Sequence, residues 1–357
     1  MTPGRYIRQT LLKDFGLEGQ RKLSDARVLV IGAGGLGLPV LTYLNAMGVG
    51  TLGVVEQDCV SLSNLHRQVL YGEADIGLPK VKVALQKLAA QNPDTRLESY
   101  QTYLRRENAL EIISGYDVVV DASDNFPTRY LVNDACVLLE KPLVYGALHG
   151  YEGQVSVFNY QGGPTYRCLF PVQPGADEVP NCNEHGVLGI LPGIIGNLQA
   201  LETIKILTGL GQVLSGELLI FNGLDQAYQK IRFGLQKANL ERDHLEAEYG
   251  WDAFCEVVPS IEVTELQTLL DASDDVQLID VRTPEEFKAY SLPGARNVPL
   301  DQLPAKANLI DPKVPVYLLC QSGQRSASAL KLLRKAHKSA ELYNVEGGIA
   351  QFLALSP

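Results

Sequence analysis

The length, composition and charge of the chain exclude several classes of protein. With 357 residues, 46% of them apolar, the chain can bury more than one ordinary core, so we expect two domains. Its 31 basic and 41 acidic residues give a net charge of −10, which argues against nucleic acid and against a membrane as partners, because both attract basic surfaces. The first residues, MTPGRYIRQTLLKDFG, lack the apolar core of a signal peptide, and we therefore expect a cytoplasmic location.

Alternating strand and helix patterns predict an α/β fold in two parts. From residue 26 to about 234, segments of helical period separate short apolar runs, and the predicted strands are ARVLVIG, TLGVVE, RLESY, DVVVDA and PLVYGA. This alternation is typical of a parallel sheet wrapped by helices. The pattern restarts with VTELQTLL, VQLIDV, PEEFKAY and VPVYLLC. We therefore predict a first domain over residues 1–236, a polar linker over 237–259 and a smaller α/β domain over 260–357.

A glycine-rich turn follows the first predicted strand. Gly32, Gly34 and Gly37 have the G-x-G-x-x-G spacing, directly after VLVI and before the helical segment PVLTYLNAM. Glycines let the backbone approach a phosphate group, while the helix N-terminus supplies N–H donors and positive potential. Glu56 ends the next predicted strand, where a carboxylate commonly binds ribose hydroxyls. These features fit NAD as well as ATP.

Cationic and amide side chains beyond this turn favour a triphosphate over a dinucleotide. Asn64 and Arg67 lie in SLSNLHRQ, Lys80 stands at a predicted helix start in IGLPK, and the polar segment DASDN at 121–125 ends a predicted strand. Cations and hard oxygen ligands suit a triphosphate and its magnesium ion, whereas hydride transfer needs no such set. Each residue also has a structural interpretation: Arg67 and Lys80 as solvated surface charges, and an aspartate of DASDN as the N-cap of the helix FPTRYLVNDA.

Several segments together carry a family resemblance. GAGGLG, SLSNLHRQ, the lysine of IGLPK, DASDN, YRCLFP and GVLGILPGIIGNLQALETIK resemble, over about residues 5–235, the ThiF/MoeB adenylyltransferases that activate ubiquitin-like sulfur carrier proteins. The resemblance implies a Rossmann-like ATP-binding domain in a homodimer that adenylates the C-terminal glycine of a small Gly-Gly carrier. Besides Gly32, Gly34 and Gly37, the residues on the family's nucleotide-contacting positions are Gly35, Glu56, Ser63, Asn64, Arg67, Lys80 and Asn125, and Asp124 lies on its magnesium-linked position.

The implied reaction explains the cations. Attack of a carboxylate on the α-phosphate of ATP brings two anions together, so Arg67, Lys80 and magnesium would offset the developing charge. Arg8, in the segment RYIRQ of an N-terminal helical arm, matches an arginine that the family extends into the partner subunit's site. A carboxylate is already ionised near neutral pH, so no general base is needed.

The six cysteines are far apart in sequence and predict free thiols rather than disulfides. Cys182 lies in the polar segment VPNCNEHGVLG; the resemblance implies that a cysteine there can take the activated carboxylate as a thioester or exchange sulfur, and an inert, partly buried thiol is the alternative. Many relatives hold a structural zinc with two CxxC pairs. Here Thr165 replaces the first cysteine and a second CxxC is absent, so we predict no such zinc and expect Cys168, Cys59 and Cys136 to be core thiols.

The segment CQSGQRS places a cysteine between the predicted strand VYLL and the helix SALKLLRKA. Inward-pointing backbone N–H groups, Arg325 and the helix dipole would lower the pKa of the Cys320 thiol and hold an anion. Four residues separate Cys320 from Arg325, one fewer than in the C-x5-R phosphate loop of tyrosine phosphatases, and a tighter ring suits a single sulfur atom. With LIDVRTPEEFKAYSLPGARNVPL and NVEGGIAQF, this part resembles a rhodanese domain, which implies that Cys320 carries sulfane sulfur as a persulfide. An inert rhodanese-like fold used for docking is the alternative.

Together the two resemblances predict one reaction sequence. The carrier would be adenylated with ATP and Mg²⁺, and sulfur from a Cys320 persulfide, loaded by an upstream donor such as a cysteine desulfurase, would then give a carrier thiocarboxylate. Such a product could serve molybdopterin, thiamine or thiolated-tRNA synthesis. Three alternatives remain open at this stage: an activating enzyme that conjugates its carrier through a Cys182 thioester, an NAD-dependent oxidoreductase, and a non-catalytic scaffold that binds a carrier tail.

Overall fold

The structure, a computed structural model, describes residues 4–174, 186–250, 259–271, 276–306, 308, 310–311, 313–337 and 340–355. The chain divides into two compact units, Met1–Gly250 and Trp251–Pro357. Each unit has its own sheet, and helices connect most successive strands, so the predicted α/β class is confirmed. Within the described ranges, no helix combines the length and the apolar character needed to cross a membrane.

The first unit is built on one large sheet. Its strands are β1 Arg27–Ile31, β2 Thr51–Val55, β3 Arg96–Tyr100, β4 Val118–Asp121, β5 Leu143–His149, β6 Glu152–Phe158, β7 Glu217–Asn222 and β8 Ala227–Arg232. They lie in the order β3-β2-β1-β4-β5-β6-β7-β8. Its α-helices are α1 Ile7–Thr10, α2 Gly16–Asp25, α3 Gly37–Ala46, α4 Lys80–Gln91, α5 Arg106–Ser114, α6 Phe126–Leu138, α7 Tyr166–Leu169 and α8 Leu191–Thr208.

The strands predicted from apolar runs form the parallel half of this sheet. β1 to β5 pair in parallel, and every residue of β2 and β4 is buried, as expected for strands covered on both faces. β1 lies between β2 and β4. The chain runs from β1 through β2 to β3 on one side of β1, and then crosses to β4 and β5 on the other side. In open α/β sheets, ligands bind where the strand order reverses in this way, here at the carboxyl ends of β1 and β4.

The antiparallel half of the sheet was not predicted. β6, β7 and β8 pair antiparallel, and all six residues of the edge strand β8 are exposed. Between β6 and β7, α8 packs against α3 and against β5 and β6. This long, apolar helix begins at Leu191, next to the position near Pro192 predicted from the sequence.

The described part of the predicted linker packs on the first unit. Tyr249, which is 3% exposed, donates a hydrogen bond of 2.8 Å from its hydroxyl to Asp134 on α6. The same fully buried carboxylate receives two hydrogen bonds from Arg167, of 2.7 and 2.8 Å, and an ion pair from Arg242. Residues up to Gly250 belong to the first compact unit, where these polar side chains pair with a buried carboxylate. The bounds of the predicted linker stay a prediction. The remaining linker residues, 251–258, lie outside the described residues.

The second unit contains a smaller, entirely parallel sheet. Its strands are β9 Ser260–Ile261, β10 Gln277–Asp280, β11 Arg296–Asn297, β12 Val316–Leu319 and β13 Leu342–Val345, in the order β11-β10-β12-β13-β9. Its α-helices are α9 Val263–Asp271, α10 Pro284–Ala289, α11 Leu303–Lys306, α12 Gln324–Ala336 and α13 Gly348–Leu355.

The central strand β12 is buried on both faces. Val316 and Leu318 belong to one apolar cluster, while Tyr317 and Leu319 belong to another. Because successive side chains of a strand point to opposite faces, the continuous apolar run VYLL serves both layers at once. Cys320 follows directly, at the carboxyl end of the most buried strand of the unit.

Candidate active sites

The turn after β1 requires glycine at two positions. Gly32 has a φ of +101°, in the region that favours glycine, and a Cβ there would lie 2.9 Å from the carbonyl oxygen of Ala122. At Gly37, the first residue of α3, a Cβ would lie only 1.9 Å from the carbonyl oxygen of Gly32. The turn can therefore bring α3 against the ends of β1 and β4 only with these residues, and the predicted order of strand, glycine turn and helix is found.

The predicted segment SLSNLHRQ lies against this turn. A Cβ on Gly35 would stand 3.5 Å from the carbonyl oxygen of Arg67. Asn64 closes a short turn by accepting the backbone N–H of Arg67 at 3.1 Å, and Arg67 Nη1 donates to the carbonyl of Ser63 at 3.1 Å. The Ser63 hydroxyl forms a hydrogen bond of 3.1 Å with that of Ser61. The structure therefore brings Ser63, Asn64 and Arg67 together beside the glycine turn.

Glu56 and Lys80 approach the glycine turn from the other side. Glu56 accepts the backbone N–H of Ala33 at 2.9 Å and that of Asp58 at 2.8 Å. Burial raises the pKa of Glu56, whereas the nearby Lys80 acts in the opposite direction. Lys80 begins α4, is 5% exposed and donates from Nζ to Asp58 at 3.2 Å. The sequence prediction missed Asp58, although it lies only two residues beyond Glu56.

The segment after β4 supplies two of the predicted polar groups. Asp121 is buried, and its carboxylate accepts the N–H and the hydroxyl of Ser123 at 3.0 and 2.6 Å; burial raises its pKa against the opposing effect of Arg129. Asp124 is exposed. Asn125 is the N-cap of α6 and accepts the N–H of Thr128 at 3.0 Å. The cap is therefore the asparagine and not an aspartate, and its side-chain oxygen already has this structural partner.

Two other predicted residues stand apart from this cluster. Arg8 is exposed on α1, and that helix contacts α2. Its predicted place in the partner subunit's site stays a prediction. Cys182 lies outside the described residues, so its predicted role also stays a prediction.

The other cysteines of the first unit have different surroundings. Cys136 is buried, and burial raises its pKa. Cys168 is buried as predicted; burial raises its pKa, but hydrogen bonds from Asn239, Thr165 and the Gln236 N–H outweigh this and lower it. Cys59 is exposed, so the prediction of a core thiol was wrong there, because Cys59 follows β2 in a short bridge to Pro79 at the surface. The absence of a structural zinc stays a prediction.

In the second unit, the loop after β12 wraps around the sulfur of Cys320. Cys320 is fully buried, and its Sγ accepts the backbone N–H of Gly323 at 3.1 Å and the hydroxyl of Ser326 at 3.3 Å. Gly323 has a φ of +89°, which turns its N–H inward at the start of α12. The backbone N–H of Ile349 in α13 donates to the Cys320 carbonyl at 2.9 Å, so the segment NVEGGIAQF holds the backbone of Cys320 in place. The loop thus surrounds a single sulfur atom with donors.

Two arginines near Cys320, Arg325 in this loop and Arg282 after β10, are each paired with a carboxylate. Arg325 donates two hydrogen bonds of 2.7 Å to the two carboxylate oxygens of Glu286, and this ion pair lowers the pKa of Glu286 to about 2. Arg282 forms a second ion pair with Asp280, with an N–O distance of 2.7 Å. The expectation that Arg325 offers its guanidinium to an anion therefore differs from the structure. Glu286 lies 39 residues from Arg325 in sequence and was not predicted as its partner.

Family models and known proteins match both units. The model of the ThiF family matches residues 6–242, and that of the Rhodanese-like domain matches residues 262–355. The chain is 40% identical to "Adenylyltransferase and sulfurtransferase MOCS3-1" of Zea mays, over 97% of this chain and 80% of that protein. It is 41% identical to "Adenylyltransferase and sulfurtransferase MOCS3" of Anopheles gambiae, over 95% and 83%.

Another relative and a solved structure each match about two thirds of the chain. "Sulfur carrier protein adenylyltransferase" of Thermus thermophilus is 55% identical over 64% of this chain and 86% of that protein. The crystal structure of E. coli MccB with ATP has a TM-score of 0.58 and 21% identity, over 65% of this chain and 72% of that one. At this identity the structural match supports the fold alone.

Proposed function

Because this chain belongs to the ThiF family and carries a rhodanese-like domain, we propose that it is an adenylyltransferase and sulfurtransferase acting on a ubiquitin-like sulfur carrier protein. The observation that carries this proposal is the presence of two complementary sites in one chain. One site has a glycine turn beside a buried lysine at the carboxyl ends of parallel strands. The other is a donor-lined loop around Cys320.

The first step is adenylation. The C-terminal carboxylate of the carrier attacks the α-phosphorus of ATP, an acyl-phosphate bond forms, and pyrophosphate leaves with the electrons of the broken P–O bond. Lys80 and Arg67, with Arg8 from the partner subunit of a proposed homodimer, offset the negative charge that develops on the phosphates. Magnesium, when bound, would supply further positive charge, and the exposed Asp124 carboxylate is a hard oxygen ligand suited to hold it.

The second step is sulfur transfer. A persulfide on Cys320 attacks the acyl carbon of the adenylate, AMP leaves, and an acyl disulfide joins the carrier to Cys320. A second thiol, that of Cys182 or of a small reductant, then attacks the Cys320 sulfur, which releases the carrier thiocarboxylate and leaves a disulfide. The adenylate supplies a good leaving group, and the persulfide supplies a strong nucleophile near neutral pH. We place this chemistry in the cytoplasm, where thiols are kept reduced.

The proposal is tested on the 357-residue chain with ATP, Mg²⁺, a cysteine desulfurase and cysteine as sulfur source, and candidate carriers that end in Gly-Gly. Intact-mass spectrometry is expected to show a carrier heavier by the exchange of one oxygen for one sulfur, and only when ATP is present. A stable adduct between carrier and enzyme would instead support conjugation through a Cys182 thioester. If no carrier changes mass and no pyrophosphate is released, the proposed function is wrong.

The paired cations bear on the class of sulfur donor. Arg325 and Arg282, the arginines of the Cys320 loop and of β10's end, each face a carboxylate, so the two pairs add no net positive charge around the sulfur. A small anion such as thiosulfate gains little attraction at such a site. We therefore propose a protein-borne persulfide, as a cysteine desulfurase presents it, as the donor.

Glu286→Gln is expected to raise the rate of sulfur transfer from thiosulfate to cyanide by roughly tenfold, because the variant leaves Arg325 with uncompensated charge. The gain should be constant between roughly pH 6 and 9. Arg325 holds the pKa of Glu286 at about 2 instead of its ordinary 4.5, so the carboxylate is charged above pH 4.5 and is protonated only as the pH falls through about 2. Glu285→Gln, the same change at the exposed neighbouring residue of α10, is the control. Equal rates for the two variants would contradict the proposed charge balance.

A further inference from the structure

Tyr71 links the glycine turn to the helix that carries Lys80. It is 6% exposed, and its hydroxyl donates to the carbonyl of Ala33 at 2.9 Å and to that of Lys80 at 3.2 Å. One hydroxyl hydrogen thus serves two acceptors that come from different parts of the site. Burial raises the pKa of Tyr71 far above the physiological range, so the hydroxyl stays protonated and remains a donor.

These contacts close a ring of hydrogen bonds, which we call the Ala33 ring. Ala33 donates its N–H to Glu56 at 2.9 Å, and Glu56 accepts the N–H of Asp58 at 2.8 Å. Asp58 in turn accepts the backbone N–H of Lys80 at 2.9 Å and the Lys80 ammonium at 3.2 Å. Tyr71 closes the ring between the Lys80 carbonyl and the Ala33 carbonyl.

The members of the ring come from four separate stretches of chain. Ala33 lies in the turn after β1, Glu56 and Asp58 follow β2, Tyr71 lies beyond SLSNLHRQ, and Lys80 begins α4. Opposite sides of the ring therefore carry the glycine turn and the lysine. A shift of the glycine turn relative to Lys80 would lengthen several hydrogen bonds of the ring at once. The placement of the Lys80 charge matters because even a small misplacement of a catalytic group lowers the reaction rate.

We propose that Tyr71 is a positioning residue for adenylation, which sets the distance between the glycine turn and the Lys80 ammonium. The proposal rests on the proposed function, because it assigns the lysine to the phosphates of ATP. Tyr71 itself does not contact the reacting atoms. Its hydroxyl fixes the carbonyl of Ala33 and the carbonyl of Lys80 relative to each other. The position of the Lys80 backbone then determines where the Lys80 ammonium lies.

The chain offers a closely matched control in Tyr130. Tyr130 is fully buried, and its hydroxyl also bridges two carbonyls, those of Phe170 at 3.0 Å and Val172 at 2.8 Å. Tyr71→Phe and Tyr130→Phe therefore remove the same atom from the same kind of bridge. Both variants should lose a similar amount of thermal stability. Any difference between their catalytic rates is therefore caused by where the lost hydroxyl bridge lies, not by the loss of a bridge as such.

The first test measures ATP–pyrophosphate exchange with a carrier that the wild-type protein adenylates. Tyr71→Phe is expected to lower kcat about tenfold with a much smaller change in KM for ATP, because the charge that acts in the transition state is misplaced while most nucleotide contacts persist. Tyr130→Phe is expected to keep the wild-type kcat. If Tyr71→Phe also keeps it, or if both variants lose the same factor, the proposal is overturned.

A second test observes the lysine directly. An acyl-phosphate derivative of ATP transfers its acyl group to an amine beside the phosphates, and the labelled residue is mapped by mass spectrometry. Lys80 is expected to be labelled in the wild-type protein and in Tyr130→Phe, and several-fold more slowly in Tyr71→Phe. Labelling of Lys80 at the wild-type rate in Tyr71→Phe would refute the positioning role. A wild-type protein that shows neither exchange nor labelling would instead refute the proposed function.

Discussion

Cys320→Ala is expected to abolish carrier thiocarboxylate formation, by roughly 10³-fold or more, while ATP–pyrophosphate exchange keeps its wild-type rate. The substitution removes the only atom of this loop that can carry sulfane sulfur, and no neighbouring group can replace a covalent carrier. The proposed adenylation site, with Lys80 and the glycine turn, belongs to the other compact unit. Carrier mass and pyrophosphate exchange, measured on the same samples, separate the two steps.

Two further variants define what Cys320 requires. Ser326→Ala keeps the thiol but removes the hydroxyl that donates to its Sγ at 3.3 Å, so we expect a partial loss of sulfur transfer, roughly tenfold. Cys59→Ala removes an exposed thiol from the first unit and should change neither step. Full thiocarboxylate formation by Cys320→Ala would show that sulfur reaches the carrier by a route without this residue.

The parallel strands and the glycine turn could be predicted because their causes are local. Strands buried on both faces read as unbroken apolar runs, and the turn needs glycine at Gly32 and Gly37 for reasons of φ angle and close approach. The antiparallel strands β6 and β8 were missed because polar residues interrupt their apolar residues, as in EGQVSVF and in AYQKIR, whose six residues are all exposed. The contacts of the stretch 237–250 could not be predicted, because its polar composition hides pairing with Asp134, a buried partner more than 100 residues away.

The candidate sites divide in the same way. Lys80 at a helix start and Cys320 at a strand end follow from their positions in local patterns, and the structure places both as predicted. The partners of the charges were not predictable, because Asp58 and Glu286 meet their cations only through the tertiary fold. Spacing in sequence therefore predicted the positions of the candidate reactive groups, whereas their electrostatic surroundings could be read only from the structure.

Lys80→Ala is expected to lower ATP–pyrophosphate exchange by roughly 10²- to 10³-fold, the scale on which a preorganised charge acts in a water-poor site. Lys80 is 5% exposed and its ammonium donates to Asp58, so its side chain is held in place by burial and by an ion pair. A preordered cation needs no reorganisation when the α-phosphate develops charge. Its removal should therefore affect kcat more strongly than KM for ATP, as steady-state exchange kinetics would show.

The matched control is Lys82→Ala, an identical change at an exposed lysine of the same helix. Lys82→Ala changes the net charge and the composition of the helix by the same amount as Lys80→Ala. If both variants lose pyrophosphate exchange equally, the long-range charge of α4 governs adenylation, and the position of the Lys80 ammonium does not. Sulfur transfer from thiosulfate to cyanide should be unchanged in both, because that reaction needs only the Cys320 loop. Lys80→Ala would then block adenylation and leave sulfur transfer intact, and Cys320→Ala would do the reverse. A mixture of the two variants would recover thiocarboxylate formation only if the persulfide of one chain can reach an adenylate made on another.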